Sequence, residues 1–308
     1  MKILIELPTW LGDSVMVTPS IENLSNFYLN PEITIIGSSI AIEVIKNHPL
    51  VKKTYVLDKN YFRLYKCIRS LGKFDMFVSF RSSFRSKFIK IISQAREKHQ
   101  YDSKSFVNNH QVEKYNKFIN SITNKDSTPG ELILHYQNTN TKSKHKLAGI
   151  NPGASYGSAK QWYPEKFAKL AKDLACQYDI LIFGGQAEKK IADQIEKLLI
   201  KEGVFNYQNL SNKTSISELI NHISSLDLFI TGDTGPMHIA AALKTPTVSI
   251  FGPTNDLETS QWMNHNNFIV KKNLDCQPCM KRLCPLKHHD CMKLIGVQDV
   301  LLASKNII

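Results

Sequence analysis

Short runs rich in apolar and β-branched residues recur along this chain, separated by longer segments with helical periodicity. The runs predict strands at Lys2–Leu7, Glu32–Ile36, Val51–Leu57 and Asp75–Phe80. Helices are predicted between them near 14–28, 39–46, 62–71 and 83–92, and a further helix at 111–122 closes this half. The segment from Gln137 to Lys146 is polar and has no apolar period, as an interdomain linker would. A second series follows it, with strands at 147–151, 180–183, 228–230 and 247–251 and helices at 164–176, 187–199 and 217–224. Repeated βα units imply a parallel sheet covered by helices. The predicted fold class is therefore α/β: two Rossmann-like domains, 1–140 and 147–308, facing a central cleft. Ligands of such sheets bind beyond the carboxyl ends of the strands.

The length of 308 residues suits two domains of ordinary size. A composition of 42% hydrophobic and 21% charged residues is that of a soluble globular protein. Glu6 and Pro8 interrupt the first apolar run before a signal peptide could form, and no stretch approaches the ~20 apolar residues of a membrane span. The location expected by default is cytoplasmic. A formal charge of +12 favours anionic partners. It is dense at Arg81, Arg85, Lys87, Lys90, Arg96, Lys98 and Lys104, and again at Lys271, Lys272, Lys281, Arg282 and Lys287. No nucleic-acid-binding signature accompanies it, so a phosphorylated substrate or an acidic membrane surface is preferred.

The chemistry concentrates in four loops after predicted strands. The most informative runs from Asp227 to Leu243, a buried strand, a turn with two glycines, and a helix beginning among polar groups. Asp233 or Thr234 can cap that helix, with Pro236 in its first turn. Free N–H groups and the positive end of the helix dipole at Gly235 then suit a phosphate, and His238 shares a face with Thr234. An ordinary capped helix with a packed histidine is the competing reading. In Pro8–Ser14, Gly12 permits a tight turn, while Asp13 either caps the next helix or acts as a general base. Asn151–Trp162 mixes Gly, Ser155 and Lys160 without a Walker pattern, and Lys160 could neutralise a leaving diphosphate. In Phe183–Glu188 two glycines precede a carboxylate, Glu188, placed as a ribose contact or as a plain first-turn acid.

With these motifs in order, the chain resembles the ADP-heptose:lipopolysaccharide heptosyltransferases, glycosyltransferase family nine, and most of all their heptosyltransferase II branch. The resemblance rests on Trp10-Leu-Gly-Asp13, Asn151-Pro-Gly-Ala with Lys160-Gln-Trp162, Gly232-Asp-Thr-Gly-Pro-Met-His238, and Phe251-Gly-Pro-Thr254. It implies a GT-B fold and an inverting transferase, with the acceptor held by the N-terminal domain and ADP-heptose by the C-terminal one. Carried over, Asp13 stands as general base, Lys160 as diphosphate contact and Glu188 as ribose contact. Asp233, Thr234, Gly235 and His238 form the donor-binding turn. Ser155 is carried over as a further donor-binding residue, although it stands where some relatives carry a threonine pair. The implied acceptor is the lipopolysaccharide inner core, Kdo-lipid A bearing heptose, met peripherally at the cytoplasmic face of the inner membrane. No cofactor and no catalytic metal is implied, since a lysine and a helix terminus supply the neutralising charge. The alternatives are another transfer on the same scaffold, such as heptosyltransferase I, or a dinucleotide-dependent oxidoreductase. Against the oxidoreductase stands the absence of Gly-x-Gly-x-x-Gly after the first strand.

Cys276, Cys279, Cys284 and Cys291 lie within one short span beside His288 and His289. A CxxC start followed by two more cysteines is compatible with a structural zinc site, but the spacing matches no common two-knuckle pattern. Four reduced, packed thiols are the reading taken, with no metal. Cys67 and Cys176 fall in predicted helices as core residues.

Overall fold

The computed structural model describes residues 1–107, 109–139, 145–154 and 156–307. Ser155 and part of the polar segment, 140–144, lie outside the described residues. The chain divides into two compact units, Met1–Tyr136 and Gln137–Ile308.

The first unit holds strands β1 (Lys2–Glu6), β2 (Glu32–Gly37), β3 (Val51–Val56), β4 (Lys73–Ser79) and β5 (Gln94–Gln100). They form one sheet in the order β3-β2-β1-β4-β5, and every pairing is parallel. Ile3, Leu4 and Ile5 of the central strand are fully buried because helices cover both faces. Leu4, Ile36, Phe74 and Phe77 pack with Leu64, Ile68 and Ile89 of the flanking helices. Each such side chain contributes roughly 1.5–3 kcal/mol by leaving water. The sequence reading misses β5, whose residues Gln-Ala-Arg-Glu-Lys-His-Gln carry no apolar alternation. An edge strand pairs on one side only and tolerates polar side chains on both faces.

The expected helix at 14–28 is two helices, Leu11–Met16 and Thr18–Phe27, interrupted at Val17. Pro19 lies in the first turn of the second helix, where its missing N–H costs nothing. The polypeptide thus turns into helix two residues before Asp13, so Asp13 is a first-turn residue and not the cap.

The second unit holds β6 (Leu147–Asn151), β7 (Asp179–Ile182), β8 (Tyr207–Asn209), β9 (Leu228–Gly232), β10 (Thr247–Ile250) and β11 (Asn267–Val270). Their order is β11-β10-β9-β6-β7-β8, again with parallel pairing throughout. Strands β8 and β11 and the helix Val297–Lys305 were not anticipated. The two strands are short and half-exposed, and they carry too few apolar positions to stand out. The core gathers Ile150, Ile180, Ile230, Val248, Trp162 and Phe167, with Val300 and Ala303 from the last helix. Ser215 and Glu218 form a reciprocal cap on the helix Ile216–Ser224, each side chain taking the other's backbone N–H at 3.2 and 2.7 Å.

Both sheets have a topological switch point, where successive connections leave a central strand in opposite directions. In the first unit it lies between β1 and β4, and in the second between β6 and β9. The loops beyond the carboxyl ends of those strands diverge and leave room for a ligand.

Candidate functional site

At the first unit's switch point, β1 ends in Glu6, which has no exposed surface. Its carboxylate accepts from the Ser79 hydroxyl at 2.7 Å and the Ser86 hydroxyl at 2.9 Å, and Arg81 Nη1 stands 3.4 Å away. Burial raises the Glu6 carboxyl above the ordinary range, against the lowering pull of these donors. The sequence held one signal for this group: a carboxylate ending an otherwise apolar strand.

Beyond β1, the helix at Leu11 begins at Trp10, whose ring is 55% exposed and provides no cap. Asp13 is half-buried, and one carboxylate oxygen accepts from the Tyr115 hydroxyl at 3.3 Å. Tyr115 comes from the helix Gln111–Thr123 and packs edge-on against Phe80. Burial first, then the Asp13 charge, lift the Tyr115 phenol well above its usual value, so it stays protonated and donates. The phenol fixes one carboxylate oxygen and orients the other, which is what a general base needs.

At the second unit's switch point, Asn151 at the end of β6 donates to Thr231 Oγ1 and Thr234 Oγ1, both at 3.0 Å. The two threonine hydroxyls are 3.1 Å apart. Thr234 occupies the cap position of the helix Gly235–Ala242, yet no side chain caps that helix. Asp233 does not cap it either, because its carboxylate is taken by Lys160 Nζ at 2.5 Å. The expectation of a capping Asp233 or Thr234 is thus replaced by a first turn that neither of those side chains caps. That arrangement suits an anion.

Lys160 also donates to the Asp233 carbonyl at 3.1 Å and lies over the Tyr156 ring at 4.7 Å. Lys160 and Asp233 keep only 11% and 6% of their side-chain surface exposed, so this is a buried pair. Three donors on the ammonium leave one beyond the two used by Asp233.

Glu188 is buried and accepts from the Gly185 N–H at 2.9 Å. It precedes the helix Lys189–Lys201 instead of lying in its first turn. Its side chain fills the space over three glycines: a Cβ on Gly153 would come within 2.6 Å of Glu188 Cγ, one on Gly184 within 2.9 Å of Glu188 Cβ, and one on Gly185 within 3.1 Å of Glu188 Oε2. Gly232 lies beside the backbone of two loops, since a Cβ there would be 3.8 Å from the Lys160 carbonyl and 3.9 Å from that of Gly153. The structure therefore brings Lys160, Glu188, Asp233, Thr234 and Gly235 to one edge of one sheet. His238 is on the same helix, buried with 3% of its surface exposed. Asp13 belongs to the other unit and Ser155 is outside the described residues.

Two further groups could be considered for metal. Glu22, His48 and His135 offer ligand atoms within 4.8 Å of one another. His48 Nδ1 accepts from the Leu50 N–H at 3.2 Å, so its proton sits on Nε2 and goes to Glu22 at 2.9 Å. That hydrogen bond holds the Glu22 carboxyl below the usual range and leaves Nε2 without a lone pair for a cation. The other group is the set of four cysteines in the second unit, which line one cavity together. Burial, then the three neighbouring thiols, push Cys291 up to about 11.

Two parallel Rossmann-like sheets, each with loops diverging at its switch point, make up the GT-B fold. Solved structures share the fold. Escherichia coli ADP-heptose lipopolysaccharide heptosyltransferase II superposes with a TM-score of 0.82 at 20% identity, over 100% of this chain and 98% of that one. An E. coli heptosyltransferase solved with ADP gives 0.81 at 14% identity, over 100% of both chains. In sequence, the glycosyltransferase family 9 (heptosyltransferase) profile matches residues 63–289. A lipooligosaccharide heptosyltransferase 2 of Campylobacter jejuni is 40% identical over 318 aligned residues, 100% of this chain and 98% of the relative. The chain belongs to glycosyltransferase family 9, the heptosyltransferases.

Proposed function

We propose that this enzyme is a heptosyltransferase II, moving L-glycero-D-manno-heptose from ADP-heptose to a heptose of the lipopolysaccharide or lipooligosaccharide inner core. The observation that carries this reading is the end-to-end 40% identity with a lipooligosaccharide heptosyltransferase 2. In the proposed reaction Asp13, oriented by Tyr115, takes the proton of the acceptor hydroxyl as that oxygen attacks the anomeric carbon. The bond to the diphosphate breaks on the opposite face, which inverts configuration. The remaining Lys160 donor and the N–H groups at the Gly235 helix start meet the negative charge growing on the leaving ADP. Glu188 accepts from the ribose hydroxyls. The first unit is thus assigned the acceptor and the second the donor.

No described helix is long and apolar enough to cross a membrane. We place the enzyme peripherally at the cytoplasmic membrane face, where its lipid acceptor lies. The helix Phe84–Ile92 supports this, because Phe84, Lys87 and Ile91 share a face and the two apolar side chains are 80% and 74% exposed.

Transfer from ADP-heptose is assayed on Kdo-lipid A bearing one heptose and on Kdo-lipid A bearing none. Product on the first and none on the second is expected. Transfer only to the heptose-free acceptor would make the enzyme a heptosyltransferase I. Asp13→Asn is expected to lower kcat by about 10²–10⁴, and full activity in that variant rules out the base.

A further inference from the structure

Between β11 and the helix Asp290–Lys293, residues 271–289 form no helix or strand. A structureless loop of that length inside a compact unit is uncommon and needs something to order it. Apolar burial does not supply it, since Met280, Leu283 and Leu286 are 48%, 70% and 60% exposed. What the segment has is three cysteines, Cys276, Cys279 and Cys284, which with Cys291 of the following helix, none of them in a disulfide, stand on the walls of one cavity of about 20 Å³.

We propose that Cys276, Cys279, Cys284 and Cys291 together hold one thiolate-bound divalent metal ion, Zn²⁺ or Fe²⁺. Soft thiolate sets select these ions, and four of them complete a closed tetrahedral shell. Each ligating thiol gives its proton to solvent as the metal–sulfur bond forms, and no redox change is involved. Cys276 and Cys279 supply a chelating CxxC pair, Cys284 a third thiol from the same loop, and Cys291 a fourth from the first turn of the helix that follows. His289 is not a ligand, because one ring nitrogen faces the Tyr163 hydroxyl at 3.1 Å and the other the Ala159 carbonyl at 2.9 Å. Among the described residues no three of these sulfurs stand within 4.8 Å of one another, so closing the shell would require the side chains to converge on the cavity.

The segment is tied to two donor-side loops. The Arg282 carbonyl accepts from the Ala159 N–H at 3.1 Å, and the Tyr156 hydroxyl donates to the Met280 carbonyl at 2.7 Å. Met280 N–H donates to the Pro253 carbonyl at 2.8 Å, and Gln277 Nε2 to that of Gly252 at 2.6 Å. Arg282 and Lys160 both lie over the Tyr156 ring, at 5.3 and 4.7 Å. The metal is therefore a structural staple that holds the Lys160 loop in place. This consequence for the donor rests on the function proposed above; metal binding itself does not.

The test uses the full-length protein purified without chelator. Mass-spectrometric metal analysis is expected to find about one zinc or iron per chain, and X-ray absorption at the matching edge a shell of sulfur at ~2.3 Å for zinc. Cys279→Ser/Cys284→Ser is expected to lose the ion, and Cys67→Ser to keep it. To separate metal loss from misfolding of the double variant, unmodified protein is also stripped with chelator under reducing conditions and titrated with Zn²⁺ and Fe²⁺. A folded, reduced protein that takes up neither ion overturns the site. Metal present in the purified protein, with ADP affinity unchanged after it is stripped, overturns only the link to the Lys160 loop.

Discussion

The Lys160–Asp233 pair makes a quantitative prediction. Replacing Lys160 by Met removes the ammonium but leaves the Asp233 carboxylate with 6% of its surface in contact with solvent. An uncompensated buried charge costs about 3–5 kcal/mol, against ~1 kcal/mol or less for an exposed pair. For a unit of this size each kcal/mol lowers Tm by roughly 2–4 °C, so the loss is about 6–20 °C. Adding Asp233→Asn to Lys160→Met removes the orphaned charge and is expected to restore most of the stability. Urea unfolding followed by tryptophan emission suits the measurement, because Trp162 is 2% exposed in the core of the same unit while Trp10 is 55% exposed in the other. Transfer assayed beside it separates two roles: the double variant regains stability without regaining kcat, since no cation meets the leaving diphosphate. A Lys160→Met protein destabilised by less than about 1 kcal/mol would refute the buried-pair reasoning. Full kcat in the double variant would refute the leaving-group role.

Three other outcomes follow from the geometry. Tyr115→Phe removes the donor that holds Asp13, and a hydrogen bond to a charged group is worth about 1.5–3 kcal/mol, so kcat is expected to fall by roughly tenfold or more without loss of fold; an unchanged kcat would detach Tyr115 from the base. Gly153→Ala drives a methyl into Glu188 and displaces it from the Gly185 N–H; KM for ADP-heptose should rise while kcat changes little, as for a contact made equally in ground and transition states. Glu6 has a folded-state pKa raised by burial, so the folded state binds its proton more tightly than the unfolded chain. Its favourable contribution is complete below the unfolded value of about 4.3 and is lost as pH rises through the folded value. Wild-type stability measured against Glu6→Gln from pH 4 upward should therefore decline with pH, and a flat or rising difference would reverse the assignment.

Much of this was legible in the linear chain, and the reason is local. Apolar runs such as Ile3-Leu4-Ile5 and Leu228-Phe229-Ile230 must be buried on both faces, which calls for parallel strands under helices. Gly-bearing loops after such strands commonly lead into helix starts with free N–H groups, so the segments at Gly153 and Gly184 and around Gly232 pointed to the carboxyl edge of the second sheet, while the tight turn expected at Gly12 is instead part of the helix Leu11–Met16. The polar edge strand β5 was not legible, because half-exposed strands need no apolar alternation, and the split at Val17 was missed although Pro19 marked it. What the sequence determined, then, was the two-sheet α/β plan, the four loops and the residue types in them. Tertiary structure decided the partnerships. Lys160 meets Asp233 across 73 residues, Tyr115 reaches Asp13 across 102, and Glu6 is enclosed by Ser79 and Ser86. The four cysteines come to share one cavity because the loop after β11 brings Cys276, Cys279 and Cys284 beside Cys291 of the helix at Asp290. Such contacts depend on strand order and on which loops fold over which strand ends, and no periodicity along the chain encodes them.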